Sequence, residues 1–335
     1  PWAYPELWEK YSDDVYKCKE YESISSKEDF LKLYSKINTP IVLDSLNHNP
    51  ESDWVRKKIK EKKGIFVKTD TNLIPPTKEN IRIKLKKLLK YTMAPIKLYK
   101  ILTNLVKQKQ QPDILISGGL VRSRSLNAIK IIEGHHMDYD VYLNILNNPK
   151  KNKDSYAVFL DEDMVAHPDY FQHNLEPPVN ETQYYPVLVD FLLKFQKKTG
   201  LKVKFAVHPK SKIKNLSNLL KGIDCYRGST AELVKESKLV LLHASTSLSY
   251  AILFNKPTAF LTSNDLNKSW IGTRIKSFAK EINSKVVNIN VDLEKNFNLD
   301  NLFKVDTLKY QKYKNNYLKY PSSPDVPLWE IFTKY

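Results

Sequence analysis

Short apolar, β-branched runs alternate along this chain with longer stretches in which apolar residues recur every three or four positions. "TPIVLDSLN" (39–47) reads as a strand, "DWVRKKIKEKK" (53–63) as a helix and "GIFVKTDTN" (64–72) as a strand. Two basic helical stretches broken near Pro95 come next, and then a strand at "DILISGG" (113–119). The run "NNPKKNKD" (147–154) is polar and charged and carries a proline, as a linker does. A second series follows it. "YAVFLDE", "KVKFAVHP", "KLVLLHA" and "PTAFLTS" read as strands, with helices at "YYPVLVDFLLKFQKKTG", "STAELVKES" and "STSLSYAILFNK" between them. Such alternation predicts parallel sheets of the doubly wound kind. The chain therefore reads as two Rossmann-like α/β domains, 1–148 and 149–335, with a cleft between them. No repeat of solenoid period is visible.

Composition narrows this picture without changing it. With 335 residues, 41% of them hydrophobic, the chain can bury a sizeable core. Cys18 and Cys225 give neither a disulfide framework nor metal-ligand spacing, which fits a reducing compartment. No apolar stretch reaches the roughly 20 residues that span a bilayer, and the opening "PWAYPELWEKYSDD" lacks the basic and apolar regions of a signal peptide. The expected location is cytoplasmic.

Charge adds a candidate partner. The net charge is +17, and residues 78–109 hold ten basic residues against one acid, Glu79, with leucines and isoleucines at helical spacing. A basic amphipathic stretch suits the anionic inner face of a membrane or a lipid-linked acceptor; its plain alternative is a solvated face. Nucleic acid fits less well, because no recognition motif occurs and the aromatics are not interleaved with the basic residues.

In doubly wound sheets ligands bind outside the carboxyl ends of the strands, so polar residues that end apolar runs are the candidate site. Four endings qualify: Ser117, Gly118 and Gly119; Asp161, Glu162 and Asp163; His208, Pro209 and Lys210; and His243 through Ser245, Thr246 and Ser247. Three hydroxyls where a helix begins offer donors to a phosphate, although one hydroxyl suffices for an ordinary cap. His243 is the weaker candidate, because a lone histidine after a strand is more often a satisfied core residue. No glycine-rich dinucleotide fingerprint or P-loop occurs, which disfavours the common NAD and ATP enzymes.

These motifs carry a resemblance. "AVHPKS" (206–211) with "HASTSLSYAILFNKP" (243–257) resembles the His-Pro and Ser/Thr motifs of bacterial sialyltransferases and polysialyltransferases. "YAVFLDEDMVAHPDY" (156–170) with "GSTAELVKES" (228–237) looks still more like the retaining Kdo transferases, enzymes of GT-B fold that use CMP-activated sugar acids. The likeness covers mainly residues 113–263. It implies that His208, Ser245, Thr246 and Ser247 hold the CMP phosphate, with Pro209, Lys210 and His243 beside them. It also implies an active-site aspartate at Asp161, within the catalytic set Asp161, Glu162 and Asp163. One departure is that sialyltransferases carry an acidic motif in the first domain, whereas "DED" here opens the second.

The expected function is transfer of a 2-keto-3-deoxy sugar acid from CMP to a glycan or lipid-linked acceptor, with retention of configuration. Departure of CMP leaves charge on phosphate while an oxocarbenium-like centre builds at the sugar, so cationic and N–H donors and a nearby carboxylate are required. Candidates for the sugar carboxylate are Arg122, Arg124, His167 and the backbone around Ser117, Gly118 and Gly119. Glu232 sits where GT-B enzymes that use UDP often place a glutamate against the ribose. The cluster His135, His136, Asp138, Asp140 lacks metal-ligand spacing and reads as second-layer or sugar-contacting, so no metal and no cofactor is expected. Alternatives are an inverting sialyltransferase-like enzyme, a GT-B enzyme using a UDP-sugar or building a polyol-phosphate polymer, and a non-catalytic basic module.

Overall fold

The computed structural model describes residues 24–45, 50–71, 73–77, 111–123, 128–148, 155–172, 175–211, 213, 215–290 and 299–335. The chain divides into two compact units. The first runs to Asp70 and takes in the stretches ending at Ser117 and at Ile132. The second takes the segment beginning at Thr71, Gly118–Arg122 and everything from Glu133 to Tyr335. The boundary anticipated between 148 and 149 thus falls inside one continuous run of the second unit.

In the first unit, α1 (Lys27–Ser35) starts where Ser26 Oγ accepts the Asp29 N–H at 3.0 Å. After it come β1 (Ile41–Leu43), α2 (Pro50–Glu61), β2 (Ile65–Asp70), β3 (Ile114–Ser117) and β4 (Lys130–Glu133). The sheet order is β1-β2-β3-β4, with β1, β2 and β3 parallel. Phe30, Tyr34, Ile59 and Phe66 pack one face. Buried Arg56 pairs with Asp44 at 2.8 Å and ties α2 to the end of β1. A charge this deep persists because its hydrogen bonds are satisfied.

The second unit holds α3 (Met137–Leu146), β5 (Tyr156–Leu160), α4 (Pro168–Gln172), α5 (Glu181–Thr199), β6 (Lys202–Ala206), α6 (Leu216–Leu219), β7 (Asp224–Tyr226), α7 (Thr230–Glu236), β8 (Leu239–Leu242), α8 (Leu248–Leu253) and β9 (Thr258–Thr262). They are followed by α9 (Asn264–Lys268), α10 (Ile271–Glu281), β10 (Lys285–Asn288), α11 (Thr307–Tyr313) and α12 (Leu328–Thr333). Its six strands are all parallel, in the order β10-β9-β8-β5-β6-β7. That is the doubly wound order, with its switch point between β5 and β8. Every residue of β5, β8 and β9 is buried, as strands covered by helices on both faces require. Gly200 closes α5 in the left-handed region, φ 71°, returning its N–H to the Gln196 carbonyl.

Strands β4, β7 and β10 were not expected from the sequence. β7 and β10 lie at the sheet edges, have three and four residues, and are partly exposed, so they lack the continuous apolar run of the central strands. Among the described residues no helix is long and apolar enough to cross a membrane. The basic stretch 78–109 lies outside the described residues, as does most of the linker run 147–154.

Candidate functional site

The carboxyl ends of β5, β6 and β8 open on a cavity of about 810 Å³ whose wall belongs wholly to the second unit. Of the residues singled out in the sequence, His136, Asp138, Glu162, His167, His208, Pro209, Lys210, Ser245, Thr246 and Ser247 line it. Ser247 N–H turns back to Ser245 Oγ at 3.3 Å, and the Ser247 side chain makes no capping hydrogen bond to α8.

The three acids after β5 separate by the alternation of extended chain. Asp161 and Asp163 turn inward; Glu162 turns to the cavity. Asp161 Oδ1 accepts the Asp163 N–H and its Oδ2 the His208 N–H, both at 3.0 Å, which clamps the end of β5 to the end of β6. Burial raises its pKa to about 6 against the pull of those N–H groups. Asp161 does not line the cavity, so the expected nucleophile is a clamp between strands. Asp163 is fully buried at φ 47°. Its Oδ1 accepts the Ala166 N–H at 3.2 Å, and its carbonyl takes the His167 N–H.

Glu162 spans the switch point. Its Oε1 accepts the Ala244 N–H, and burial pushes its pKa up to about 8 although that N–H and the Arg274 guanidinium favour the charged form. A carboxyl poised near neutrality on a cavity wall is suited to proton transfer.

His208 Nδ1 accepts the Lys210 N–H at 3.3 Å, and burial, with His167 and Lys210 nearby, lowers its pKa to about 4. Burial likewise lowers His167, against the nearby Asp169. Both imidazoles are neutral at pH 7.

Other expectations move to packing roles. His243 is completely buried, donating from Nδ1 to the Leu261 carbonyl at 2.8 Å and facing the Tyr184 hydroxyl across 2.7 Å at Nε2. It therefore does not reach a phosphate. Glu232 is exposed in the first turn of α7, and Thr230 takes the place on the cavity wall. Ser117, Gly118, Gly119 and Arg122 are also outside the lining. The glycines are explained by close approach: a Cβ on Gly118 would meet Thr71 Cα at 2.9 Å, and one on Gly119 the Asn316 carbonyl oxygen at 2.4 Å. Arg122 is exposed, and Arg124 lies outside the described residues.

Sequence reasoning missed part of the wall. Arg274, near the start of α10, supplies a guanidinium. Tyr170 and Trp270 meet edge to face with centroids 5.9 Å apart, and Trp270 Nε1 donates to the Glu176 carbonyl. His136 and Asp138 were not missed: expected as second-layer or sugar-contacting groups, they line the cavity, with Asp138 accepting from the hydroxyls of Ser249 and Tyr250. His135 instead faces the His136 and Val326 carbonyls, and Asp140 takes the Leu328 N–H. The strand-end rule extended to the second helix after β9 would have reached Arg274; the meeting of α3 with α8 has no local signal.

No family model matches the sequence, and no curated protein does. A solved structure of a histidine variant of the wall teichoic acid polymerase TagF is similar with TM-score 0.51 at 13% identity, over 98% of this chain and 83% of that one. The UDP-bound MnaA of S. aureus gives 0.45 at 13% identity, over 98% and 84%. The UDP-GlcNAc 2-epimerase of Methanocaldococcus jannaschii, in complex with UDP-GlcNAc and UDP, gives 0.44 at 13%, over 91% and 86%. At such identity the likeness concerns fold. The fold is GT-B, built from two Rossmann-like α/β units.

Proposed function

We propose that this protein is a glycosyltransferase that moves a sugar acid from a CMP donor to a glycan acceptor. The observation that carries the reading is the cavity at the switch point, where His208, Lys210, the 245–247 hydroxyls, Arg274 and Glu162 converge. Cation and neutral N–H donors suit a nucleotide phosphate, whose charge grows as the bond from C2 of the sugar to phosphate oxygen breaks. Arg274 is the group for the sugar carboxylate, since a guanidinium matches a carboxylate in two-point geometry.

In this reading the acceptor hydroxyl oxygen bonds to C2 as CMP leaves, and its proton passes to Glu162. Asp161 is no longer the candidate nucleophile, because both its oxygens are committed to backbone N–H groups. Direct displacement, with inversion at C2, follows from that choice. A lipid-linked acceptor is the partner suggested by the charge of residues 78–109. A second reading, transfer of a polyol phosphate, comes from the fold shared with TagF.

Calorimetry with CMP, UDP and GDP tests the donor class, and NMR of the product from a panel of CMP-sugars fixes donor and stereochemistry together. Preference for UDP would replace CMP in the proposal. A phosphodiester in the product would select the polyol-phosphate reading, and binding of none of the three nucleotides would overturn both.

A further inference from the structure

The second unit contains the same local device twice, in the connections that leave adjacent strands. Seven residues beyond β5 the chain runs His167-Pro168-Asp169 into the start of α4, and two residues beyond β6 it runs His208-Pro209-Lys210. In each, the histidine Nδ1 accepts the backbone N–H two residues on, at 3.1 Å from Asp169 and 3.3 Å from Lys210. The intervening proline has no N–H to compete and fixes the turn. The Asp169 carboxylate lies 3.6 Å from His167 Nδ1, beyond a hydrogen bond, so the backbone N–H is the partner.

An imidazole whose Nδ1 accepts carries its proton on Nε2 when neutral. Both rings are neutral for the same reason: burial, with cationic Lys210 nearby, disfavours a second proton. Their centroids are 4.6 Å apart at an interplanar angle of 61°, and both line the cavity. Two protonated rings at that separation would repel; two neutral rings present a pair of fixed N–H donors.

The geometry points to His167 and His208 acting together as a two-donor cradle for one oxyanionic group of the ligand. This makes His167 a ligand-binding residue in its own right. Which oxyanion fills the cradle, nucleotide phosphate or sugar carboxylate, rests on the donor reading above; the cradle itself rests on the paired turns. Preformed neutral donors suit a group that gains charge during reaction, since they bind it without first losing a proton.

Asparagine tests this without dismantling the turns, because its side-chain oxygen can accept the same N–H two residues on while the Nε2 donor is lost. His167→Asn and His208→Asn should each weaken binding of CMP about tenfold, as loss of one charge-assisted hydrogen bond does, with an unchanged melting temperature. If the two variants instead lose free sialic acid and keep CMP, the cradle holds the carboxylate. In the native protein, long-range nitrogen NMR should show both rings with Nε2 protonated, and inorganic pyrophosphate or sialic acid should shift those two Nε2–H resonances together. Nδ1-protonated rings overturn the proposal, as does His167→Asn binding every anion like the native protein. CMP binding that survives in His167→Asn would leave the donor reading intact. Pyrophosphate binding that needs both histidines, without nucleotide binding, would sink the donor reading and keep the cradle.

Discussion

The Tyr184 hydroxyl donates to His243 Nε2 at 2.7 Å, closing a chain that runs from α5 through the end of β8 to the Leu261 carbonyl on β9. Both rings are buried, so the bond has no water to replace it. Tyr184→Phe leaves the ring nitrogen unsatisfied and should destabilise the protein by about 1 to 3 kcal/mol. Denaturant titration reads the loss, and CMP affinity should stay at the native value because neither residue lines the cavity.

His243 also has a pH signature. Burial lowers its pKa to about 4, below the ordinary 6.5, so the unfolded chain binds the proton more readily than the folded one. Its contribution is present above pH 6.5 and is lost as pH falls toward 4, on the order of 3 kcal/mol across that window. Asp161 and Glu162 act in the opposite sense, because their raised values favour the folded state at low pH. Comparison with His243→Leu removes their contribution. The stability of the native protein relative to that variant should shrink between pH 6.5 and 4; a constant difference would show that His243 does not titrate there.

Glu162→Gln should abolish transfer and spare nucleotide binding. Loss of a general base costs roughly 100- to 10,000-fold in rate. With its pKa near 8, the native rate should rise as pH passes through that value and the carboxylate forms. A flat native profile between pH 7 and 9 would count against Glu162 as the base.

Asp161→Asn places an amide N–H₂ against one of two backbone N–H donors. Stability should fall by about 1 to 3 kcal/mol. CMP affinity should fall with it, because the His208 N–H loses the oxygen that sets its turn. Full stability with transfer alone abolished, and a sugar adduct on this peptide by mass spectrometry, would restore Asp161 as a nucleophile.

Gly119→Ala must displace the Asn316 and Tyr317 backbone, which a Cβ would approach to 2.4–2.9 Å. Thermal melting should show a loss of about 1 to 3 kcal/mol or more, the cost of overpacking. Arg122→Ala, at an exposed position, should leave both melting and CMP binding unchanged.

The central sheet was legible because β5, β8 and β9 are largely apolar runs ended by polar residues, and the strand-end rule, applied to β6 and β8, also located His208, Lys210 and Ser245. The edge strands were not, since "DCY" and "KVVN" are too short and too exposed to differ from loop. Within "DED" the strand-end rule could not choose a residue. Its outcome depends on where alternation starts, and that put Glu162, not Asp161, on the cavity wall. His243 looks like a ligand-binding residue until Tyr184 is seen against it. Arg274 arrives on a helix that packs against β9 and β10, its neighbours in sequence, but well beyond the end of β9, whereas Asp138 arrives on α3, which meets α7 and α8 far along the chain.

The central strand of the larger sheet has a consequence for how the protein is made. β5 pairs with β6 soon after both are synthesised, but its other neighbour is β8, with Ala157 opposite Leu239. The two His-Pro turns therefore leave the ribosome well before the Ser245–Ser247 wall and before Arg274. Pairing over such a separation is slow to close. Until β8 is laid down beside β5, a growing chain carries only part of the cavity wall, which closes when the centre of the sheet is complete.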